Sequence, residues 1–100
     1  MIPMEYFVIL SAILFLIGAF GVLTKRNAII VLMSIEIMLN AANINFVTFA
    51  SYYGDVAGQI FTLFSIAIAA AEVAIGLAIL LNLNRIRGTI DLSELHLLRW

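Results

Sequence analysis

Three long stretches with few or no charged residues account for most of this sequence. Residues 6–24 carry no charge, residues 28–53 are interrupted only by Glu36, and residues 59–84 are interrupted only by Glu72. A helix needs about 20 apolar residues to span a bilayer, whereas a membrane β-strand needs about 9–11. Because unpaired backbone groups are excluded from hydrocarbon, the pattern predicts an all-α membrane protein with three transmembrane helices.

The composition points the same way. The chain is 65% hydrophobic and 11% charged, whereas soluble domains carry about 25% charged residues. A net charge of −1 gives no indication of a nucleic-acid partner. There is no cysteine, and the one histidine, His96, lies in a polar tail. We therefore expect no metal or redox cofactor within this chain.

The predicted helices cover about residues 3–24, 28–52 and 58–84 of a single membrane domain, residues 1–100, with a short tail at 85–100. All the Lys and Arg residues fall on one side of this three-helix topology, namely Lys25, Arg26, Arg85, Arg87 and Arg99. The other side carries only acidic residues, Glu5 and Asp55. Because basic residues favour the cytoplasmic side, we expect the N-terminus outside and the C-terminus inside.

Glu36 and Glu72 are predicted to lie near the middle of the bilayer. With a helical rise of about 1.5 Å per residue, Glu36 is about 13 Å and Glu72 about 18 Å from the cytoplasmic helix ends, so Glu36 is the closer to the cytoplasm. An acid at such a depth costs roughly 2.5–3.5 kcal/mol. Desolvation favours the uncharged form of a carboxyl group, which can then load and release a proton. Each glutamate is predicted to relay protons, and the alternative is a static hydrogen-bond anchor between helices.

The neighbouring polar residues indicate which helix faces matter. Spacings of four and three place Glu36, Asn40 and Asn43 on one face of the second helix, with Ser34 and Asn45 on the opposite side. Asn40 and Asn43, on the same face as Glu36, either join helices by hydrogen bonds or support proton conduction.

Small residues mark two faces of the third helix. One face carries Ser65, Ala69, Glu72 and Gly76, and an adjacent stripe carries Ala67, Ala71, Ala74 and Ala78. Small residues allow helices to approach closely, so the alanine stripe is predicted to pack and to bring a partner helix close to Glu72.

Four segments together resemble a known family. They are residues 21–27 (GVLTKRN), residues 34–43 (SIEIMLNAAN), residues 58–61 (GQIF) and residues 69–79 (AAAEVAIGLAI). This combination resembles the NuoK-type, or 4L-type, membrane subunit of respiratory complex I, and the resemblance extends from residue 10 to about residue 88.

The resemblance implies a function and a set of site residues. The chain would be a proton-translocating subunit of the membrane arm of an NADH:quinone oxidoreductase, without redox chemistry or standalone activity of its own. Glu36 and Glu72 would be the family's intramembrane carboxylates, and Lys25 and Arg26 would form a basic loop that is important to activity. Quinone, flavin and iron–sulfur clusters would be held elsewhere in the complex.

The resemblance also implies partners and a location. Expected neighbours are the antiporter-like and quinone-proximal membrane subunits, within the bilayer of a bacterial inner membrane or of a thylakoid or mitochondrial inner membrane. Two alternatives stay open at this point. The chain could be the small C-type subunit of a multisubunit cation/proton antiporter, or a purely structural subunit.

Overall fold

The computed structural model describes residues 2–88 and 91–92 of the chain. It contains three helices, α1 (Met4–Thr24), α2 (Ala28–Tyr52) and α3 (Val56–Arg87). All three are long and apolar enough to cross a membrane, so the predicted fold class is confirmed. Helix α2 is the central element, because it packs against both of its neighbours. In the described part of the chain, no Cα atom of α1 lies within 8 Å of a Cα atom of α3.

A short polar turn joins α1 to α2. The Lys25 amide donates to the Gly21 carbonyl at 3.1 Å and ends α1. The side-chain oxygen of Asn27 then accepts from the amides of Ile29 at 2.9 Å and Ile30 at 3.2 Å. An asparagine in this capping position satisfies amides that have no partner within the helix. The turn therefore reverses the chain within three residues and makes α1 and α2 antiparallel.

Helix α3 begins earlier than the apolar pattern predicts. It starts at Val56 rather than at residue 58, because the Asp55 carboxylate accepts from the Gly58 amide at 3.1 Å and caps the first turn. A tight turn precedes it, in which Gly54 adopts a φ of 66°.

Helix α3 also ends later than predicted, at Arg87 rather than at residue 84. Gly88 follows in the left-handed conformation, with a φ of 71°, and its amide donates to the Asn84 carbonyl at 2.7 Å. Arg85 and Arg87 therefore belong to the last helical turn and not to the predicted tail. Positive charge at this position interacts favourably with the helix dipole.

The segment after α3 returns to the turn between α1 and α2. The Leu92 amide donates to the Arg26 carbonyl at 2.8 Å. The basic turn and the basic end of α3 consequently lie at the same end of the molecule. The rest of the predicted tail, including His96 and Arg99, lies outside the described residues.

Two glycines of α1 allow it to pack closely against α2. A Cβ atom at Gly18 would lie 2.6 Å from the Ser34 carbonyl oxygen and 2.5 Å from Met38 Cγ. A Cβ atom at Gly21 would overlap the Ser34 side chain. Ser34 thus faces α1, on the side of α2 that the helical spacing predicts.

Replacing Gly18 by alanine should loosen this contact. The obstacle includes the Ser34 backbone, which cannot move aside, and overpacking of this kind costs about 1–3 kcal/mol. We expect Gly18→Ala to lower the thermal stability of the detergent-extracted protein and the amount of chain in the membrane. Gly76→Ala is the matched control, since its Cβ atom would meet only the flexible Leu32 side chain at 3.2 Å. Equal stability of the two variants would contradict the packing argument.

Candidate functional site

The antiparallel register of α2 and α3 places Glu36 level with Glu72. Two contacts set this register, the hydrogen bond of Ser65 to Asn43 and the packing of Leu32 over Gly76. Asn43 follows Glu36 by seven residues, and Ser65 precedes Glu72 by seven. Leu32 precedes Glu36 by four residues, and Gly76 follows Glu72 by four. Because α2 and α3 rise equally per residue, the two glutamates lie opposite one another along the helix pair.

This arrangement differs from the depths that were estimated from the helix ends, which placed Glu36 closer to the cytoplasm. Those estimates assume that α2 and α3 have level ends. In the structure α3 continues to Arg87, well beyond the level at which α2 begins with Ala28. Distances counted from the two ends are therefore not comparable, and the register across the helix interface replaces them.

Glu36 is half-buried and lines a groove on one side of the interface between α2 and α3. Asn40, one turn further along α2, is exposed in the same groove. The other lining residues are apolar: Met33, Ile37, Ile66, Ala69, Ala70 and Val73. The groove has a volume of about 400 Å³, far more than the roughly 30 Å³ that one water molecule occupies.

Glu72 is exposed and lines a second groove, on the other side of the same interface. This groove has a volume of about 270 Å³ and contains two further polar residues, Asn43 and Ser65. Its apolar lining consists of Leu39, Ala42, Phe46, Ile68 and Ala69. Within the described part of the chain, neither Glu36 nor Glu72 has a hydrogen-bonding or ion-pairing side-chain partner.

Ala69 separates the two grooves. It is 8% exposed and is the one residue that lines both of them. The predicted polar face of α2 is consequently divided, since Asn40 lies with Glu36 and Asn43 lies with Glu72. The two glutamates are level with each other but open on opposite sides of the helix interface.

Two hydrogen bonds of the same kind connect α2 to its neighbours. On one side the Ser65 hydroxyl of α3 donates to Asn43 Oδ1 at 2.7 Å. On the other side the Ser11 hydroxyl of α1 donates to Asn45 Oδ1 at 2.7 Å. Asn45 thus faces α1, and it lies on the side of α2 opposite Glu36, as the helical spacing predicts. Ser11 was not singled out by the sequence pattern, although its isolation as a polar residue inside an apolar run is a usable signal.

The basic pair Lys25 and Arg26 is exposed in the turn between α1 and α2 and lines neither glutamate groove. The alanine stripe on α3 is exposed as well, at Ala67, Ala71, Ala74 and Ala78. Among the described residues, these four alanines therefore lie on the open surface of α3 and not within the α2–α3 contact. Among the described residues, no three His, Asp or Glu side chains are grouped to hold a metal ion.

Comparison with known proteins gives full-length matches. Residues 6–100 match the family described as NADH-ubiquinone/plastoquinone oxidoreductase chain 4L. The chain is 51% identical to NAD(P)H-quinone oxidoreductase subunit 4L of Synechococcus sp. (strain JA-3-3Ab), with 100% of both chains covered. It is 52% identical to NADH-quinone oxidoreductase subunit K of Roseiflexus castenholzii, with 99% of both chains covered. Subunit K of Flavobacterium johnsoniae is 55% identical, over 98% of this chain and 92% of the relative.

Proposed function

The chain belongs to the family of NADH-quinone oxidoreductase subunits K and 4L, and we propose that it translocates protons in the membrane arm of such a complex, with Glu36 and Glu72 as the relaying groups. It is a multi-pass membrane subunit with three transmembrane helices. The observation that carries the proposal is the placement of two carboxyl groups at one level, far from both ends of α2 and α3, each facing its own groove.

The physical argument starts from the cost of the two acids. A charged side chain at the bilayer centre is unfavourable by roughly 2.5–3.5 kcal/mol on insertion scales, so intramembrane acids tend to mark proton pathways. Both grooves are large enough for several water molecules. Water can carry a proton between oxygen atoms that are too far apart for a direct hydrogen bond.

The geometry suggests a transfer across the helix interface. Glu36 and Asn40 would form one half of the path and Glu72 and Asn43 the other, with the proton passing around Ala69. Because the glutamates are level, this step runs sideways within the membrane and not along its normal. A transfer step in this direction fits a subunit that passes protons from one neighbouring membrane subunit to another.

The rest of the chemistry is assigned to partner subunits. Quinone, flavin and iron–sulfur clusters would be bound elsewhere in the complex, and the neighbours of this chain would be antiporter-like and quinone-proximal subunits. Moving one charge across 100 mV requires about 2.3 kcal/mol, which redox chemistry in those partners would supply. Lys25 and Arg26 would support the relay by fixing the α1–α2 turn at the cytoplasmic surface.

The names of the relatives favour an oxidoreductase subunit over a cation/proton antiporter subunit. A purely structural role makes a different experimental prediction, because it requires the helices but not the titratable carboxyl groups.

Replacing either glutamate by glutamine tests the relay. Glutamine keeps the size and hydrogen-bonding capacity of a protonated carboxyl group but cannot release a proton. A positioned acid–base group contributes typically about 10²–10⁴-fold, so we expect Glu36→Gln and Glu72→Gln each to reduce quinone-coupled proton translocation by at least about tenfold. The measurement is acidification of membrane vesicles that contain the assembled complex, alongside quinone reduction.

Glu5→Gln is the matched control. Glu5 is exposed in the first turn of α1, and the same change there should leave translocation unaltered. Normal translocation by an assembled complex that carries both intramembrane substitutions would refute the relay and favour the structural role.

The predicted orientation is tested by labelling. The chain has no cysteine, so single-cysteine variants can be read without background. Tyr53, in the α2–α3 turn, and Ile86, in the last turn of α3, are 76% and 77% exposed at opposite ends of the molecule. With the N-terminus outside, we expect a membrane-impermeant maleimide to label Tyr53→Cys in intact cells and Ile86→Cys only in inverted vesicles. The reverse pattern would overturn the assigned orientation.

A further inference from the structure

Ser65 and Asn43 form a polar connection within the Glu72 groove, and Ser65 has no part in the relay described above. Asn43 is only 5% exposed, and its Oδ1 accepts a hydrogen bond from the Ser65 hydroxyl at 2.7 Å. In the described part of the chain, this is the one hydrogen bond between side chains of α2 and α3. Both residues line the Glu72 groove.

The direction of this hydrogen bond leaves the amide nitrogen of Asn43 available. A carboxamide has an acceptor oxygen and an NH₂ group with two donors, on opposite sides of its carbon atom. With Oδ1 engaged by Ser65, the NH₂ group faces away from Ser65. Two donors fixed in a groove are suited to binding a water molecule or a carboxylate.

The spacing between Ser65 and Glu72 is too large for a direct hydrogen bond between them. Seven residues separate them on α3, which is two helical turns or about 10 Å along the axis. A direct hydrogen bond spans only about 2.7–3.2 Å between heavy atoms. A short chain of water molecules would be needed to connect them, and the groove of about 270 Å³ has room for it.

We propose that Ser65 is a positioning residue for proton transfer at Glu72. Its hydroxyl holds the Asn43 amide at the end of the Glu72 groove, and that amide binds the water through which Glu72 exchanges its proton. The step makes and breaks only O–H bonds: the Glu72 carboxyl group gives a proton to the adjacent water molecule or takes one from it, and the proton moves on along water. The inference rests on the proposed function of Glu72.

The chain contains its own control for this idea. Ser11 and Asn45 make a hydroxyl-to-amide bond of the same 2.7 Å length between α1 and α2, and the Ser11 hydroxyl also lies 3.0 Å from the Val8 carbonyl oxygen. The groove that they line contains no acidic residue. Ser11→Ala and Ser65→Ala therefore each remove one interhelical hydrogen bond, but only Ser65→Ala disturbs the surroundings of a glutamate.

The experiment compares these variants in membrane vesicles that contain the assembled complex. Loss of one neutral hydrogen bond is worth about 1 kcal/mol, which corresponds to about a fivefold change in rate. We expect Ser65→Ala to reduce proton translocation relative to quinone reduction by about fivefold and to shift the pH at which translocation is half-maximal. Ser11→Ala should change neither quantity, and Ser65→Thr, which retains a hydroxyl, should restore both.

A double-mutant comparison separates positioning from general stability. If Ser65 acts through Asn43, then Asn43→Ala combined with Ser65→Ala should be no more impaired than Asn43→Ala alone. Should Ser65→Ala fail to assemble, Ser65→Cys keeps nearly the same volume with a weaker donor and is expected to show the same loss. Translocation equal to that of Ser11→Ala, in whichever Ser65 variant assembles, overturns the proposal.

Glu72→Gln is measured in the same vesicles and distinguishes two kinds of failure. If Glu72→Gln abolishes translocation while the Ser65 variants behave like Ser11→Ala, the relay stands and the role of Ser65 is refuted. If Glu72→Gln translocates normally, the proposed function itself fails and the positioning role of Ser65 fails with it.

Discussion

The structure depends on close contacts of small residues along both sides of α2. In lipid, helices gain little from burying apolar surface against each other, so association relies on packing and interhelical hydrogen bonds. Gly18 admits the Ser34 backbone on the α1 side, and Gly58 lies against Ala50 on the α3 side. These contacts fix the relative height of the helices, and that height determines which polar side chains meet. The level position of Glu36 and Glu72 is a consequence of this packing.

The two serine–asparagine bonds show how α2 carries polar groups through an apolar solvent. Asn43 and Asn45 are two positions apart, which on a helix turns them to nearly opposite sides. Each receives a hydroxyl from a different neighbouring helix. Their amide oxygens are thereby satisfied within the chain, whereas the carboxyl groups of Glu36 and Glu72 are not satisfied by any described residue. The asparagines thus hold the helices together, whereas the glutamates are left to interact with water or with a neighbouring subunit.

The lengths of the apolar runs predict the number of helices and the start of α2. Helical periodicity predicts the side of α2 on which Ser34 and Asn45 lie, because that is a property of a single helix. It does not predict the register between helices, which depends on contacts such as Leu32 with Gly76 across the interface. The relative depth of the two glutamates and the separation of Asn40 from Asn43 therefore could not be obtained from spacing alone. The ends of α3 were missed because the Asp55 cap starts the helix two residues earlier and because the helix continues through Arg87 before it ends at the left-handed Gly88.

The different exposure of the two glutamates has a consequence for how a relay would be controlled. Glu36 is half-buried by its own chain, so α2 and α3 themselves limit its access to water. Glu72 is exposed on α3, and a carboxyl group left against lipid is costly, so its surroundings must come from whatever covers that helix. The exposed alanines of α3 would allow a covering helix to approach closely. One end of the relay would thus be set within this subunit and the other by its neighbour, with Ala69 as the boundary between them.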